Sequence, residues 1–135
     1  MASDRVDTVR RLADAVNRGD RKAAFACMAP DVIWNATGEL VDQPLHYNGR
    51  EQVWGYLRSL DESFEELSVE LESVEEVGKL VVARVHLHVT GRASGVAADF
   101  IFSSVARFAE GRIARVENYN DHDEAMNDAR LRATE

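Results

Sequence analysis

The chain has 135 residues, 45% hydrophobic and 30% charged, with 16 Lys and Arg against 24 Asp and Glu for a net charge of −8. That length suits one domain spanning residues 1–135, which buries roughly two-thirds of its unfolded surface without needing staples. The acidic balance, with no basic stripe to offset it, argues against nucleic acid and anionic membranes as partners.

The single cysteine, Cys27, has no partner for an internal disulfide, so the fold does not require an oxidising compartment. The first twenty residues are interrupted by Asp4, Arg5, Asp7, Arg10, Arg11 and Asp14. They hold no apolar block of the signal-peptide kind, and no apolar run approaches the ~20 residues of a membrane span. A cytoplasmic location is expected.

In chain order, Val6, Val9, Leu12, Ala13 and Val16 recur at helical spacing, with Ser3 placed as a cap and Gly19 as a stop. Asp20 can cap a second, shorter helix through Ala23, Ala24, Phe25, Cys27 and Met28, closed by Pro30. "DVIWNATG" reads as a short strand, and residues 38–48 as a loop. A third helix follows in "GREQVWGYLRSL".

After Phe64 the period becomes two. Leu67, Val69 and Leu71 alternate with Ser68, Glu70 and Glu72, as in a half-buried strand. Gly78-Lys79 makes a turn into "LVVARVHLHVTG", "RASG" a hairpin loop, "VAADFIFSSVARF" a third strand, "EGR" a tight turn and "IARVENY" a fourth strand. A last helix starts near Asp121, which has capping-box spacing to Glu124. Helices gathered early and strands late predict an α+β fold, with helices on one face of a curved antiparallel sheet. A sheet wrapped round helices makes a cone, whose open end suits a small molecule.

This order, with "VNRGDRKAAFACMAPDVIW", "YNGREQVWGYLRSL" and "VARFAEGRIARVENYND", resembles the nuclear transport factor 2-like superfamily and, within it, the SnoaL-like proteins. The resemblance implies the cone-shaped, cystatin-like α+β barrel. It leaves the activity open, because members include ketosteroid isomerases, polyketide cyclases, epoxide hydrolases, dehydratases and non-enzymatic binding modules. The general acid/base Asp of SnoaL-type cyclases corresponds to Asn118, and their assisting His to Ser104. The oxyanion-hole Asp of ketosteroid isomerases also corresponds to Ser104, their oxyanion-hole Tyr to Leu12, and their general-base Asp falls near Ala36. An amide and an unactivated hydroxyl do not titrate usefully near neutrality, so neither Asn118 nor Ser104 replaces a carboxylate as base.

His86 and His88 form the chain's most suggestive pair, since residues two apart on a strand share a face, here with Arg84 and Thr90. The family's register points that face into the cone; polarity alone makes it the solvated outer face, with Val85, Leu87 and Val89 inward. A pocket-facing imidazole can act as acid or base, and a His-x-His pair can ligate a metal. Four histidines and one cysteine offer too few ligands for a closed structural site, so no structural metal and no cofactor is expected. Asp121, His122 and Asp123 suit the positive end of the last helix's dipole, and the acidic stretch from Asp61 to Glu76 reads as a solvated face.

The candidate catalytic residues are therefore His86, His88, Ser104 and Asn118, with Arg84, Trp34, Tyr56, Phe100, Phe102, Val116 and Asn120 as candidate ligand contacts. The leading expectation is a protein that binds a small, largely apolar molecule, with cofactor-free cyclase, isomerase, dehydratase or hydrolase chemistry if it is an enzyme. The alternative is a non-catalytic binding or dimerisation module. A homodimer formed largely through the convex sheet face is expected, because the family's register places Val81, Ala83, Val85, Leu87 and Val89, beside Ile101, Ser103 and Val105, on an outer face that needs covering.

Overall fold

The computed structural model describes residues 4–36 and 46–133. Helix α1 (Asp4–Arg18) buries Thr8, Leu12 and Ala15, and carries Asp4 and Asp7 in its first turn, where the helix dipole favours anions. It stops at Gly19, whose φ of 65° lies in the left-handed region. Asp20 then caps α2 (Arg21–Ala26) by accepting the Ala23 N–H at 3.0 Å. The cap expected at Ser3 lies outside the described residues.

Two expectations around β1 (Met28–Asn35) need correction. Helix α2 ends at Ala26, so Met28 already belongs to the strand and Pro30 lies within it instead of closing the helix. Pro30 is exposed and sits where pairing with the neighbouring strand is interrupted, between Met28 and Ile33. An irregular stretch of this kind tolerates a residue without an N–H. Residues 46–48, expected as loop, form a short strand β2 (His46–Asn48) that pairs Trp34 with Tyr47 and buries the Tyr47 ring.

Helix α3 (Gly49–Ser63) leads into the long strands β3 (Phe64–Val77), β4 (Leu80–Gly91), β5 (Ala97–Ala109) and β6 (Arg112–Tyr119), and α4 (His122–Ala133) closes the chain. The strands form one open, curved sheet in the order β2-β1-β6-β5-β4-β3. Only the β1–β6 pair is parallel. No helix among the described residues is long and apolar enough to cross a membrane.

Strand β4 shows how the two sheet faces are used. Val81, Ala83, Val85 and Leu87 point to the concave side, where α1 and α3 pack with Leu12, Val53, Leu57 and Leu60 in the main core. Leu80 and Val82 point to the convex side and pack with Val105 against Ala125, Met126 and Ala129 of α4. The last helix thus sits across the sheet from the other three, contrary to the expectation of helices on one face. Asp121 holds its start by accepting the Asp123 N–H at 2.9 Å, and Tyr119 donates to Asp128 at 2.5 Å.

The outward apolar band that motivated a dimer is also corrected. Val85 pairs with Phe102 and Leu87 with Phe100, so Ile101, Ser103 and Val105 share a face with His86, Arg84 and Val82. Val81, Ala83, Val85, Leu87 and Val89 are at most 6% exposed within the chain itself.

The β3–β4 turn supplies a stability test. Gly78 has φ +61°, and a Cβ there would stand 2.8 Å from the Ala133 Cβ at the end of α4. Gly111 has φ +79° with nothing within 4 Å. Gly78→Ala should therefore lower the free energy of unfolding by more than Gly111→Ala, whose cost is the backbone penalty alone of about 1–2 kcal/mol. Urea denaturation of both variants checks the order.

Candidate functional site: an apolar cone with one polar pair

Helices α1 and α3 and the concave face of β3 to β6 enclose a cavity of about 110 Å³. Its walls come from the helical stripe of α1 (Val9, Leu12, Ala13, Val16), from Tyr56, Leu57 and Leu60 on α3, and from the inward residues of β3 and β4. The spacing of three and four on the helices and of two on the strands is what aims all of these side chains at one volume.

Two polar residues interrupt this lining. Ser104 on β5 and Asn118 on β6 stand directly opposite each other, and the Ser104 hydroxyl donates to Asn118 Oδ1 at 2.6 Å. The bond satisfies both groups in an apolar setting, where an unpaired polar group costs free energy. Asn118 retains amide N–H donors and Ser104 retains lone pairs for a further partner. Trp34 also lines the cavity, and its indole Nε1 is buried without a hydrogen-bond partner among the described residues.

Tyr56 is the one titratable side chain among the described lining residues. It is buried with its ring centroid 4.5 Å from that of Tyr47. Burial, then the neighbouring Tyr47, push its phenol from 10.0 up to about 12, so it stays neutral in any ordinary buffer. Because the folded state holds that proton more tightly than the unfolded state, the stability involved is present below pH 10 and is lost as pH rises towards 12. Tyr56→Phe should make the urea midpoint less sensitive to alkali across this window, on the order of 2–3 kcal/mol.

The described lining contains no carboxylate, imidazole, ammonium or guanidinium group. Of the positions that the resemblance singled out, Leu12, Ser104 and Asn118 face the cavity, and Ala36 packs at the edge of the core. Trp34, Tyr56, Phe102 and Val116 also line it. Phe100 is only half-buried and lies outside this lining, and Asn120 is exposed just past the end of β6. Sequence reasoning recognised Val9 and Val16 as part of a helix's apolar face but missed them as cavity wall. The signal was their spacing, and what it lacked was the partner surface.

Arg84, His86 and His88 are on the other side of the sheet, and the inward orientation drawn from the family's register is corrected. His86 Nε2 lies 2.9 Å from Glu72 Oε2, Arg84 Nε 3.1 Å from the same oxygen, and His88 Nδ1 2.6 Å from Asp99 Oδ1. The hydrogen bond that His88 donates to Asp99 raises the pKa of His88 above its ordinary value. These groups belong to an outer charged patch and cannot reach a molecule in the cone. His122, at the start of α4, is 2.7 Å from Ser103 Oγ on the same convex side.

Comparison with known proteins agrees with this fold. The SnoaL-like domain family matches residues 9–116, and the chain belongs to that family. An NTF2-like protein of unknown function from Burkholderia pseudomallei K96243 superposes with a TM-score of 0.77 at 26% identity, covering 93% of this chain and 97% of its own. A protein named as a SnoaL-like polyketide cyclase from Jannaschia sp. CCS1 gives a TM-score of 0.73 at 22% identity, with 94% and 92% covered. An LEH-like epoxide hydrolase of M. tuberculosis gives 0.70 at 17% identity, with 97% and 92% covered. The likenesses to the Jannaschia and M. tuberculosis proteins establish the shared fold alone. No curated protein is similar enough to count as a match.

Proposed function

We propose that this chain acts as one domain that binds a small, largely apolar molecule in the cone, and that Ser104 and Asn118 orient it through one carbonyl or hydroxyl group. The observation that carries the reading is a Ser104–Asn118 pair bonded at 2.6 Å within an otherwise apolar lining. Ligand sites of this type combine an apolar wall with a few placed polar groups. An apolar cavity of about 150 Å³ accommodates benzene, so the ligand's buried part is on the scale of one small ring.

Binding is favoured over acid/base turnover because proton transfer needs a group that titrates near the working pH. Tyr56 does not, and Ser104 and Asn118 do not. The Trp34 N–H adds a donor that a ligand oxygen would satisfy.

A thermal-shift panel tests the proposal. Ring-sized apolar compounds bearing one carbonyl or hydroxyl should raise the melting temperature, since a ligand at a hundred times its Kd stabilises by about 2.7 kcal/mol. Charged, fully polar metabolites of similar size should not. A panel in which only the charged compounds stabilise the protein overturns the assignment.

A further inference from the structure

The convex face carries a second cluster of chemistry-bearing side chains, separate from the cone. Glu70 on β3 stands opposite His86 on β4, and His88 follows two residues along on the same face. Glu70, His86 and His88 each present one ligand atom, and these atoms all lie within 4.8 Å of one another. A zinc ion with bonds of about 2.1 Å in tetrahedral geometry needs ligand atoms about 3.4 Å apart, so side-chain movement of about an ångström closes the set.

The surroundings of the two imidazoles favour that closure. His88 Nδ1 is 2.6 Å from Asp99 Oδ1, and its Nε2 faces Glu70 Oε1 at 3.8 Å. A neutral imidazole donating Nδ1–H to Asp99 presents the Nε2 lone pair towards Glu70. A carboxylate behind a histidine in this way fixes the tautomer and ring orientation of a metal ligand. His86 is held by Glu72 at 2.9 Å. Glu70, Glu72 and Asp99 surround the pair, with Arg84 as the cation ion-paired with Glu72, so the patch has a surplus of negative charge that a divalent cation offsets.

We infer that Glu70, His86 and His88 form an open site for a divalent transition metal of the zinc type, with Asp99 positioning His88. Two imidazoles and a carboxylate suit zinc and its neighbours better than magnesium or calcium, which prefer oxygen ligands alone. Three protein ligands leave a coordination position for water, so the ion is exchangeable and differs from the closed structural site that the sequence argues against. The inference does not depend on what the cone binds.

The test is calorimetric titration of ZnCl₂ into tag-free protein first dialysed against a chelator. Wild type should take up one Zn²⁺ per chain. His86→Ala and His88→Ala should each abolish uptake, and Asp99→Asn should weaken it by about tenfold or more. Ser68→Ala, next to His88 across the strand pair, should bind as wild type does. Cobalt(II) uptake gives a second readout, because its visible absorption should change in Glu70→Gln, a substitution at an exposed residue that circular dichroism should show to be folded. No zinc uptake by wild type overturns the site, and so does equal uptake by a folded His86→Ala/His88→Ala double variant.

Discussion

Leu87→Lys should leave the protein unfolded under conditions where wild type is folded, whereas His86→Lys, one residue away, should fold normally. Leu87 is 3% exposed and lines the cone between Val69 and Phe100 on the adjacent strands. An ammonium group at that point has no counter-charge among the described lining residues and loses its water. Burying an unpaired charge costs several kcal/mol, against a total stability of about 5–15 kcal/mol for a domain. His86→Lys instead places its charge beside Glu72 and opposite Glu70, on a face already open to solvent. With those carboxylates as counter-charges, the change should cost far less than a buried unpaired charge. Circular dichroism melts of the two variants decide the matter, and a stable Leu87→Lys beside an unfolded His86→Lys would reverse the two faces of β4.

The second large effect is on ligand recognition. For a ring ligand bearing one oxygen, Ser104→Ala combined with Asn118→Leu should weaken binding by about 5- to 150-fold, the equivalent of 1–3 kcal/mol for a buried polar group left unpaired. The same double variant should bind the oxygen-free analogue as tightly as wild type does, or more tightly, because positions 104 and 118 then present no polar group for the analogue to leave unsatisfied. Asn118→Leu alone should also cost stability, since the Ser104 hydroxyl then loses its acceptor in the cavity. Calorimetry with the matched ligand pair separates loss of recognition from loss of fold. Equal weakening for both ligands would mean that the pair shapes the cavity without reading the ligand.

The sequence carried the strands well because their signal is local. The alternation through Leu67, Val69 and Leu71 located β3, and the turn residues at Gly78-Lys79 and "EGR" bounded β4, β5 and β6. On β4 itself, Val81, Ala83, Val85, Leu87 and Val89 are all apolar, while the other set includes Arg84, His86 and His88. That contrast alone points the histidines outward, as the structure has them. The inward alternative came from borrowing the family's register, in which the identity of individual side chains has no weight. Elements shaped by pairing were less legible. Residues 46–48 are a strand only because β1 lies beside them, and Pro30 is tolerated in β1 only because the pairing with β6 breaks there.

The site divides in the same way. Ser104 and Asn118 stood out as polar residues among apolar strand neighbours, but their 2.6 Å bond depends on the register between β5 and β6. The grouping of Glu70 with His86 and His88 depends on the pairing of β3 with β4, and Glu72 reaches both Arg84 and His86 because that pairing shifts between Leu71 and Ser73. Spacing along the chain does not encode either arrangement.

Whether the cone is the binding site is tested most directly by methyl NMR of isotope-labelled protein during titration with a compound that raised its melting temperature. The account predicts saturable shifts in the methyl resonances of Leu12, Leu60, Val85 and Leu87, which line the cavity. The methyls of Ile101 and Leu131, both exposed at 47% and 70% and outside the lining, should stay in place. Shifts confined to Ile101 and its neighbours on the convex face, with the cone methyls unmoved, would contradict it.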